Sequence, residues 1–147
     1  MKVFTEIFEL ETHQAPEFID VTDKVVGIVE RSGVISGIAV IFSKHTTAAI
    51  KINENEPLLL EDMGRFLERA ASRESYYGHN DFNIRTVHMH KDECPNGHAH
   101  CQHLILGTSE SVPIVDGRLV FGQWQRVFFI ELDMPRSREV VVQVMGV

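Results

Sequence analysis

Alternating apolar and polar side chains near the start of the chain predict a β-strand. Over residues 2–10, Phe4, Phe8 and Leu10 fall on one side, because successive side chains of a strand point to opposite faces. Similar apolar or alternating runs predict further extended segments. They lie at 18–21, 36–42, 48–52, 111–115, 118–121, 125–132 and 139–145.

Two segments instead have apolar residues at helical spacing. The first covers about 23–32, and Gly33 is placed to end it. The second covers about 57–72, where an apolar stripe recurs every three or four residues. Pro57 suits its first turn, and either residue of 55–56 can cap it. The sequence therefore predicts two helices.

Strands and short turns dominate the second half of the chain. Asp116-Gly117 stands between two apolar runs, which is a strong signal for a β-hairpin. Strands joined by hairpins indicate an α+β fold built on an antiparallel sheet or β-sandwich. Unpaired sheet edges have to be covered, which favours an oligomer.

Length and charge narrow the class of protein. A chain of 147 residues fits one domain, 1–147, with a substantial core. A net charge of −7 argues against a nucleic-acid partner, which requires a basic surface. No apolar run is long enough to span a membrane, and no secretory leader is recognisable. We therefore expect a cytoplasmic protein whose two cysteines, Cys94 and Cys101, are free thiols.

The richest candidate chemistry lies in the segment Asn96–His103, which holds three histidines and leads into Leu104, Ile105 and Leu106. We interpret it as a strand that enters the core from a polar rim. On a strand, His98 and His100 would point to the same face, about 6.5–7 Å apart at the backbone, so both could bind one metal ion. The alternative is a pair of surface histidines at a loop–strand junction.

Residues 73–97 show no clear periodicity and hold three more histidines, His79, His88 and His90. An irregular polar segment of this length in a small domain is often functional. We expect it to line the same site, with His79 as a further metal ligand. Three histidines and an open position would suit zinc, with magnesium as the alternative.

Several motifs taken together resemble the YjbQ family. The resemblance runs from about residue 5 to the C-terminus, in order and without a large gap. The matching segments are His45–Ala49, Asn53–Glu56, Asp62, Tyr77–Asp81, Asn96–His100, Asp116–Gly117, Gly122–Gln125 and Phe129–Arg136. Two features depart from the family pattern: the loop 82–95, and Met134, which stands where the family usually has glycine.

The resemblance implies a jelly-roll-like antiparallel β-sandwich with helices, assembled as a homotrimer. It also implies a weak thiamine-phosphate synthase side activity, which is a transferase reaction. Dedicated synthases of that kind are (β/α)₈ barrels of about 250 residues, so this chain would use an unrelated scaffold. Such a reaction needs cations for phosphorylated ligands, and Arg65, Arg69, Arg73 and Arg85 lie near the histidines in sequence.

Residue types and the resemblance together give the candidate roles. Catalytic roles are assigned to His45, Glu54, His79 and Asp62, and metal binding to His79, His98 and His100. Binding of a small molecule, phosphorylated ligands included, is assigned to Thr46, Thr47, Asn80, Trp124, Gln125 and Arg136.

Each of these roles has a structural alternative. His45 could be a strand-end histidine that is hydrogen-bonded to the backbone, Asp62 part of a polar helix face, and Trp124 a packing residue. A Cys94 thiolate acting with His90 or His98 is the competing chemistry. The sequence therefore leaves two functions open: a metal-dependent small-molecule enzyme, or a non-enzymatic ligand-binding or structural homotrimer.

Overall fold

Eight strands in two antiparallel sheets form most of the computed structural model, which describes residues Met1–Val147. Sheet A has the strand order β1-β8-β3-β5-β6, and sheet B has the order β2-β7-β4. The strands are β1 Lys2–Glu11, β2 Glu17–Asp20, β3 Gly37–Ser43, β4 Ala48–Asn53, β5 Ser109–Val115, β6 Arg118–Leu119, β7 Arg126–Glu131 and β8 Ser137–Gly146.

Three α-helices and one 3₁₀ turn complete the fold: α1 Thr22–Ser32, α2 Pro57–Ala70, α3 Gly97–Leu106 and the turn Gly78–Asn80. Helix α1 ends at Gly33, whose φ of 63° is left-handed and suits glycine. Helix α2 begins with Pro57, and the Glu56 carboxylate accepts hydrogen bonds from two backbone N–H groups of its first turn. None of the helices is long and apolar enough to cross a membrane.

Two hydrophobic clusters hold these layers together. The larger one lies between the sheets and α1, where Ile41 of β3 and Val142 of β8 pack with Phe129 of β7. The smaller one lies on the other face of sheet B, where Phe128 and Leu67 pack under α2 and α3. Side chains alternate faces along β7, so Phe128 and Phe129 serve different clusters. Sheet B is therefore buried on both faces.

The predicted α+β fold with an antiparallel sheet sandwich is confirmed. The expected hairpin is present, with Asp116 and Gly117 at φ values of 50° and 74° between β5 and β6. Both predicted helices are present within one or two residues of their expected ends. The resemblance to the YjbQ family thus gave the right architecture.

One prediction is wrong: residues 97–106 form a helix, α3, and not a strand. Because of this, Leu104 does not enter the core and is 83% exposed. Helix α3 is held by its buried side: Ala99 lies in the smaller cluster, and the Gln102 amide donates to the carbonyls of Leu67 and Ala71. Those carbonyls belong to the last turn of α2 and its cap residue, so Gln102 joins α3 to the C-terminal end of α2.

Candidate functional site

The first element of the site is a contact between two imidazole rings, His79 and His100. His79 lies on the 3₁₀ turn and His100 on α3, and their ring centroids are 4.7 Å apart with the planes at 74°. The two elements are joined by Asn80, whose side-chain oxygen accepts a 2.8 Å hydrogen bond from the Gly97 N–H. The rings therefore meet because the turn is bound to the start of α3.

A nearly buried arginine organises the loop beside this pair. The Arg85 guanidinium donates to the carbonyls of His79 and His88 at 3.2 and 2.6 Å, and it forms an ion pair with Glu93. This ion pair lowers the pKa of Glu93. The carboxylate of Glu93 also lies 3.8 Å from His79 Nε2. Arg85 Nη1 lies closer to the same ring nitrogen, at 3.4 Å, so loop 82–95 places an ion pair next to His79.

Asp133 is the second element of the site, and its side chain is buried. One carboxylate oxygen accepts hydrogen bonds from the Asn96 amide at 3.0 Å and from the Arg136 guanidinium at 2.8 Å. The other lies 3.6 Å from the Cys94 sulfur. Burial and the Asp133 charge raise the pKa of Cys94, so this cysteine is a poor thiolate nucleophile.

His98 does not share a face with His100, which corrects the geometric basis of the predicted metal pair. Residues two apart on an α-helix project about 200° apart. His98 is 2% exposed, and neither ring nitrogen has a hydrogen-bond partner in the protein. Burial, together with the Arg73 charge, lowers its pKa. His98 is therefore neutral at neutral pH.

We expect the buried His98 to make folding sensitive to mild acid. As the pH falls from about 7.5 to about 5.5, the unfolded chain takes up this proton before the folded chain does, so the free energy of unfolding falls. His98→Gln should make this decline shallower in urea titrations across that range. His13→Gln, at an exposed histidine, should not. Equal slopes for wild type and His98→Gln would refute the prediction.

His45, Thr46 and Thr47 lie together on the loop between β3 and β4. The Nε2 atom of His45 accepts a 2.9 Å hydrogen bond from the Glu139 N–H. This is the backbone hydrogen bond expected if His45 has a structural role. Burial and the Arg138 charge lower its pKa. Thr47 accepts a 3.0 Å hydrogen bond from Arg138. The His45 and Thr47 side chains are therefore already hydrogen-bonded within the chain, and Thr46 is exposed.

Beneath this loop lies a buried ion pair between Glu131 and Arg138, both at most 3% exposed. Arg138 donates to both carboxylate oxygens, at 2.7 and 2.5 Å. The Thr12 hydroxyl and the backbone N–H groups of Leu132 and Asp133 complete the set of donors to Glu131. Every carboxylate oxygen is thus satisfied, which fixes the chain immediately before Asp133.

Other predicted site residues lie at the opposite end of sheet B. Because β4 and β7 are antiparallel, Ala48 pairs with Glu131 and Asn53 pairs with Arg126. The two ends of β4 are about 17 Å apart, from five steps of about 3.3 Å. Glu54 and Trp124 line a shallow depression at the Asn53 end, where Trp124 is 64% exposed.

The remaining two predicted residues make local contacts. Gln125, in the same loop as Trp124, accepts a 2.8 Å hydrogen bond from the Gly122 N–H and so closes its own turn. Asp62 forms an exposed ion pair with Arg65 on α2. Neither residue contacts the histidines.

The donor set fits zinc better than magnesium, but it is incomplete. Burial lowers the pKa of His100, which leaves the neutral ring that zinc requires. Magnesium prefers oxygen ligands, and the carboxylates of Glu93 and Asp133 are already paired with arginines. No three His, Cys, Asp or Glu side chains of the chain are close enough to share an ion.

The sequence pattern gave no site role to Asp133, Arg138 or Gln102. A signal for a buried role of Arg138 was present in the sequence, since Arg138 falls on the inward-facing side of β8 with Val140 and Val142. A charge on a buried strand face needs a partner. No comparable pattern marks Asp133, because its burial depends on Asn96 and Arg136 closing over it.

Comparison with known proteins places this architecture in a family. Residues 6–147 match the family model described as UPF0047 protein YjbQ-like. A UPF0047 protein of Methanothermobacter thermautotrophicus is 40% identical over 146 residues, covering 99% of this chain and 94% of that protein. The UPF0047 protein YugU of Bacillus subtilis is 34% identical over 139 residues, covering 94% of this chain and 96% of that protein.

Two proteins of known structure have the same fold. The crystal structure of a protein from Sulfolobus solfataricus P2, described as YbjQ-like and of unknown function, superposes with a TM-score of 0.89 at 35% identity. The match covers 99% of both chains. A hypothetical protein of Aeropyrum pernix K1 superposes with a TM-score of 0.86 at 35% identity, over 97% of this chain and 98% of that one.

Proposed function

The chain belongs to the YjbQ-like UPF0047 family, and from the geometry of its histidine site we propose that it is a metal-dependent small-molecule enzyme. The observation that carries this proposal is the contact between His79 and His100 beside the buried Asp133 carboxylate. Zinc bound there would supply a Lewis acid or an activated water. His79 and His100 would provide two of its ligands.

A polar depression of about 400 Å³ supports a small-molecule substrate. Its walls include Glu93, which contacts His79, and Cys94, Asn96 and Arg136, which contact Asp133. A volume of this size is typical of sites for small ligands. Arg136 is half-exposed and would orient an anionic group of the substrate through its planar fork.

The side reaction of the thiamine-phosphate synthase type is a second candidate, supported by the arginines near the histidines. Arg73 donates to the Asp133 carbonyl, and Arg85 and Arg136 flank the same site. These cations could accept phosphate groups. Arg85 and Arg136 are each already paired with a carboxylate, of Glu93 and Asp133, so they would neutralise two phosphorylated substrates only in part, and we treat this transferase reaction as secondary to the metal-dependent function.

Zinc binding by protein without a histidine tag tests the proposal. We expect about one zinc ion per subunit at neutral pH, as a catalytic zinc site would hold. His79→Ala and His100→Ala should each weaken zinc affinity by at least about 100-fold, since loss of a mere supporting residue costs 10–100-fold. Isothermal titration calorimetry and metal analysis would measure both quantities.

His13→Ala is the matched control, because His13 is exposed and contacts only the neighbouring Glu17. It should bind zinc like the wild type. Circular dichroism should show all three variants folded. A wild type that binds no more zinc than His100→Ala would reject the metal-dependent function and favour the non-enzymatic, ligand-binding alternative.

We further propose that the protein works as a homotrimer with the histidine pair near a subunit boundary. A closed ring of three needs two different surfaces on each subunit. One candidate is the outer side of α3, where the exposed Leu104 follows His100 by one turn on the same face. A partner packed on Leu104 would thus reach the histidines.

The second candidate surface is the outer face of sheet A. Two rows of paired residues cross β1, β8 and β3 there: Val3, Met145 and Ile38, and Ile7, Val141 and Phe42. Four of these six side chains are exposed in the single subunit. An apolar sheet face of this kind typically marks an interaction surface. We propose that it receives α3 of the next subunit.

Mixing two charge variants tests this arrangement. The wild type should have a mass of about 50 kDa by light scattering, for three chains of 16.7 kDa. Leu104→Glu and Phe42→Glu should each be monomeric, because each buries a charge in one surface. Mixed in equal amounts, they should form a dimer, because the intact α3 of Phe42→Glu can pack on the intact sheet A of Leu104→Glu.

Leu58→Glu is the control at an exposed leucine outside both surfaces, and it should remain trimeric. A mixture of the two variants that stays monomeric would reject the pairing of α3 with sheet A. A monomeric wild type would reject the trimer itself.

A further inference from the structure

A second cavity, remote from the histidines, lies between the outer face of sheet B and helix α2. It has a volume of about 190 Å³, and seven of its nine lining residues are hydrophobic. Phe18, Phe128 and Ile130 form its floor on the sheet, and Phe66 of α2 stands at its edge. An apolar cavity of about 150 Å³ is large enough for a benzene ring.

The two polar residues of the lining, Lys51 and Asn53, are both hydrogen-bond donors on the same side of β4. They are two residues apart on the strand, so their side chains share a face. The Lys51 ammonium contacts Glu110 at 2.8 Å and the Leu106 carbonyl at 3.3 Å, which leaves one of its three donor positions open.

Asn53 is exposed at the mouth of the cavity and has fewer hydrogen-bond partners within the protein than Lys51. Its amide N–H₂ group contacts only the Met63 sulfur, at 3.3 Å, and sulfur is a weak acceptor. Its carbonyl oxygen is occupied by the Glu54 N–H at 2.8 Å. The cavity therefore presents two donors with spare capacity on one wall and aromatic or aliphatic side chains elsewhere. Such a combination selects a ligand with an apolar body and one acceptor group.

We propose that this cavity binds a small carboxylate with a compact apolar body, about one ring in size. The carboxylate would accept hydrogen bonds from Lys51 and Asn53, and the ring would pack against Phe18 and Phe128. The site is separate from the proposed metal centre. Helix α3 is about 15 Å long, and it touches the cavity with Leu106 at its C-terminal end, whereas His100, the member of the histidine pair on this helix, lies in its first half.

Benzoate is the probe for this proposal, and benzyl alcohol is its neutral counterpart of similar shape. We expect benzoate to shift the NMR signals of the Phe18 and Phe128 rings in a saturable manner. Lys51→Met should weaken benzoate binding by at least about tenfold, the loss that corresponds to one charged hydrogen bond. The same variant should bind benzyl alcohol as the wild type does.

Lys44→Met is the matched control, because Lys44 is also a half-exposed lysine paired with a glutamate, Glu139, but lies outside the cavity. It should leave benzoate affinity unchanged. Met63→Phe fills the cavity from α2 and should abolish binding of both probes. His100→Ala should retain binding of both probes.

Absence of saturable shifts with both probes would overturn the proposal. Equal benzoate affinity in Lys51→Met and Lys44→Met would also overturn it, because the carboxylate would then not be recognised at Lys51. Since the His100→Ala variant separates the two sites, failure here and failure of the zinc experiment are distinguishable.

Discussion

Arg138→Met is expected to destabilise the protein by about 3–5 kcal/mol, the loss typical when one partner of a buried ion pair is removed. The side chains of Arg138 and Glu131 are at most 3% exposed, so the substitution leaves the Glu131 carboxylate buried without its cation. The free energy of unfolding from urea titrations measures the loss. Glu131→Gln combined with Arg138→Met should recover part of it, since no unpaired charge remains.

Arg31→Met is the matched control, because Arg31 pairs with Glu6 at 2.7 Å in an exposed setting. An exposed pair of this kind contributes about 0–1 kcal/mol. A loss in Arg138→Met no larger than that in Arg31→Met would show that the Glu131 network does not hold the ends of β7 and β8 together. The same result would remove the reason for the fixed position of Asp133.

Gly97→Ala should separate the His79 and His100 rings and cost about 1–3 kcal/mol, the usual range for overpacking. A Cβ atom at Gly97 would lie 2.6 Å from the Cβ and 2.7 Å from the Cγ of Tyr77. Tyr77 directly precedes the 3₁₀ turn, so the turn that carries His79 has to move away from α3. Imidazole NMR signals report the separation, and urea titrations report the stability.

Gly78→Ala provides the comparison within the same site. A Cβ atom there has no neighbour within 4 Å, so the change in stability should stay within about 0.5 kcal/mol. Unchanged His79 and His100 signals in Gly97→Ala would contradict the idea that close packing of Gly97 on Tyr77 positions the pair. Under the proposed function, zinc affinity should fall in Gly97→Ala and not in Gly78→Ala.

Much of the architecture could be predicted because its signals are local. Alternation marks β1, Pro57 and Glu56 mark the start of α2, and Asp116-Gly117 marks the hairpin. Each of these features depends on side chains a few residues apart, so the chain encodes it without reference to the rest of the fold. The sequence likewise pointed to His79 and His100 as chemical candidates, through residue type alone.

The tertiary structure decided what those local patterns left ambiguous. The segment 97–106 is a helix because Ala99 and Gln102, on one side of it, pack on sheet B and on the end of α2. Its run of apolar residues fits a strand equally well in isolation, and tertiary packing overrides such weak preferences. Because the segment is a helix and not a strand, His98 and His100 point to different sides and not to the same face.

The composition of the site was also decided by contacts between distant segments. Some candidate residues were separated from the histidines: Glu54 follows β4 and Trp124 precedes β7 at the same end of this antiparallel pair, about 17 Å from the end at Thr47. Others were brought together: Asp133 is buried by Asn96, 37 positions away, and Glu131 pairs with Arg138 across the turn between β7 and β8. The sequence determined which side chains are available for chemistry, and the packing of sheet B against α3 determined which of them meet, because burial and pairing depend on neighbours that are remote along the chain.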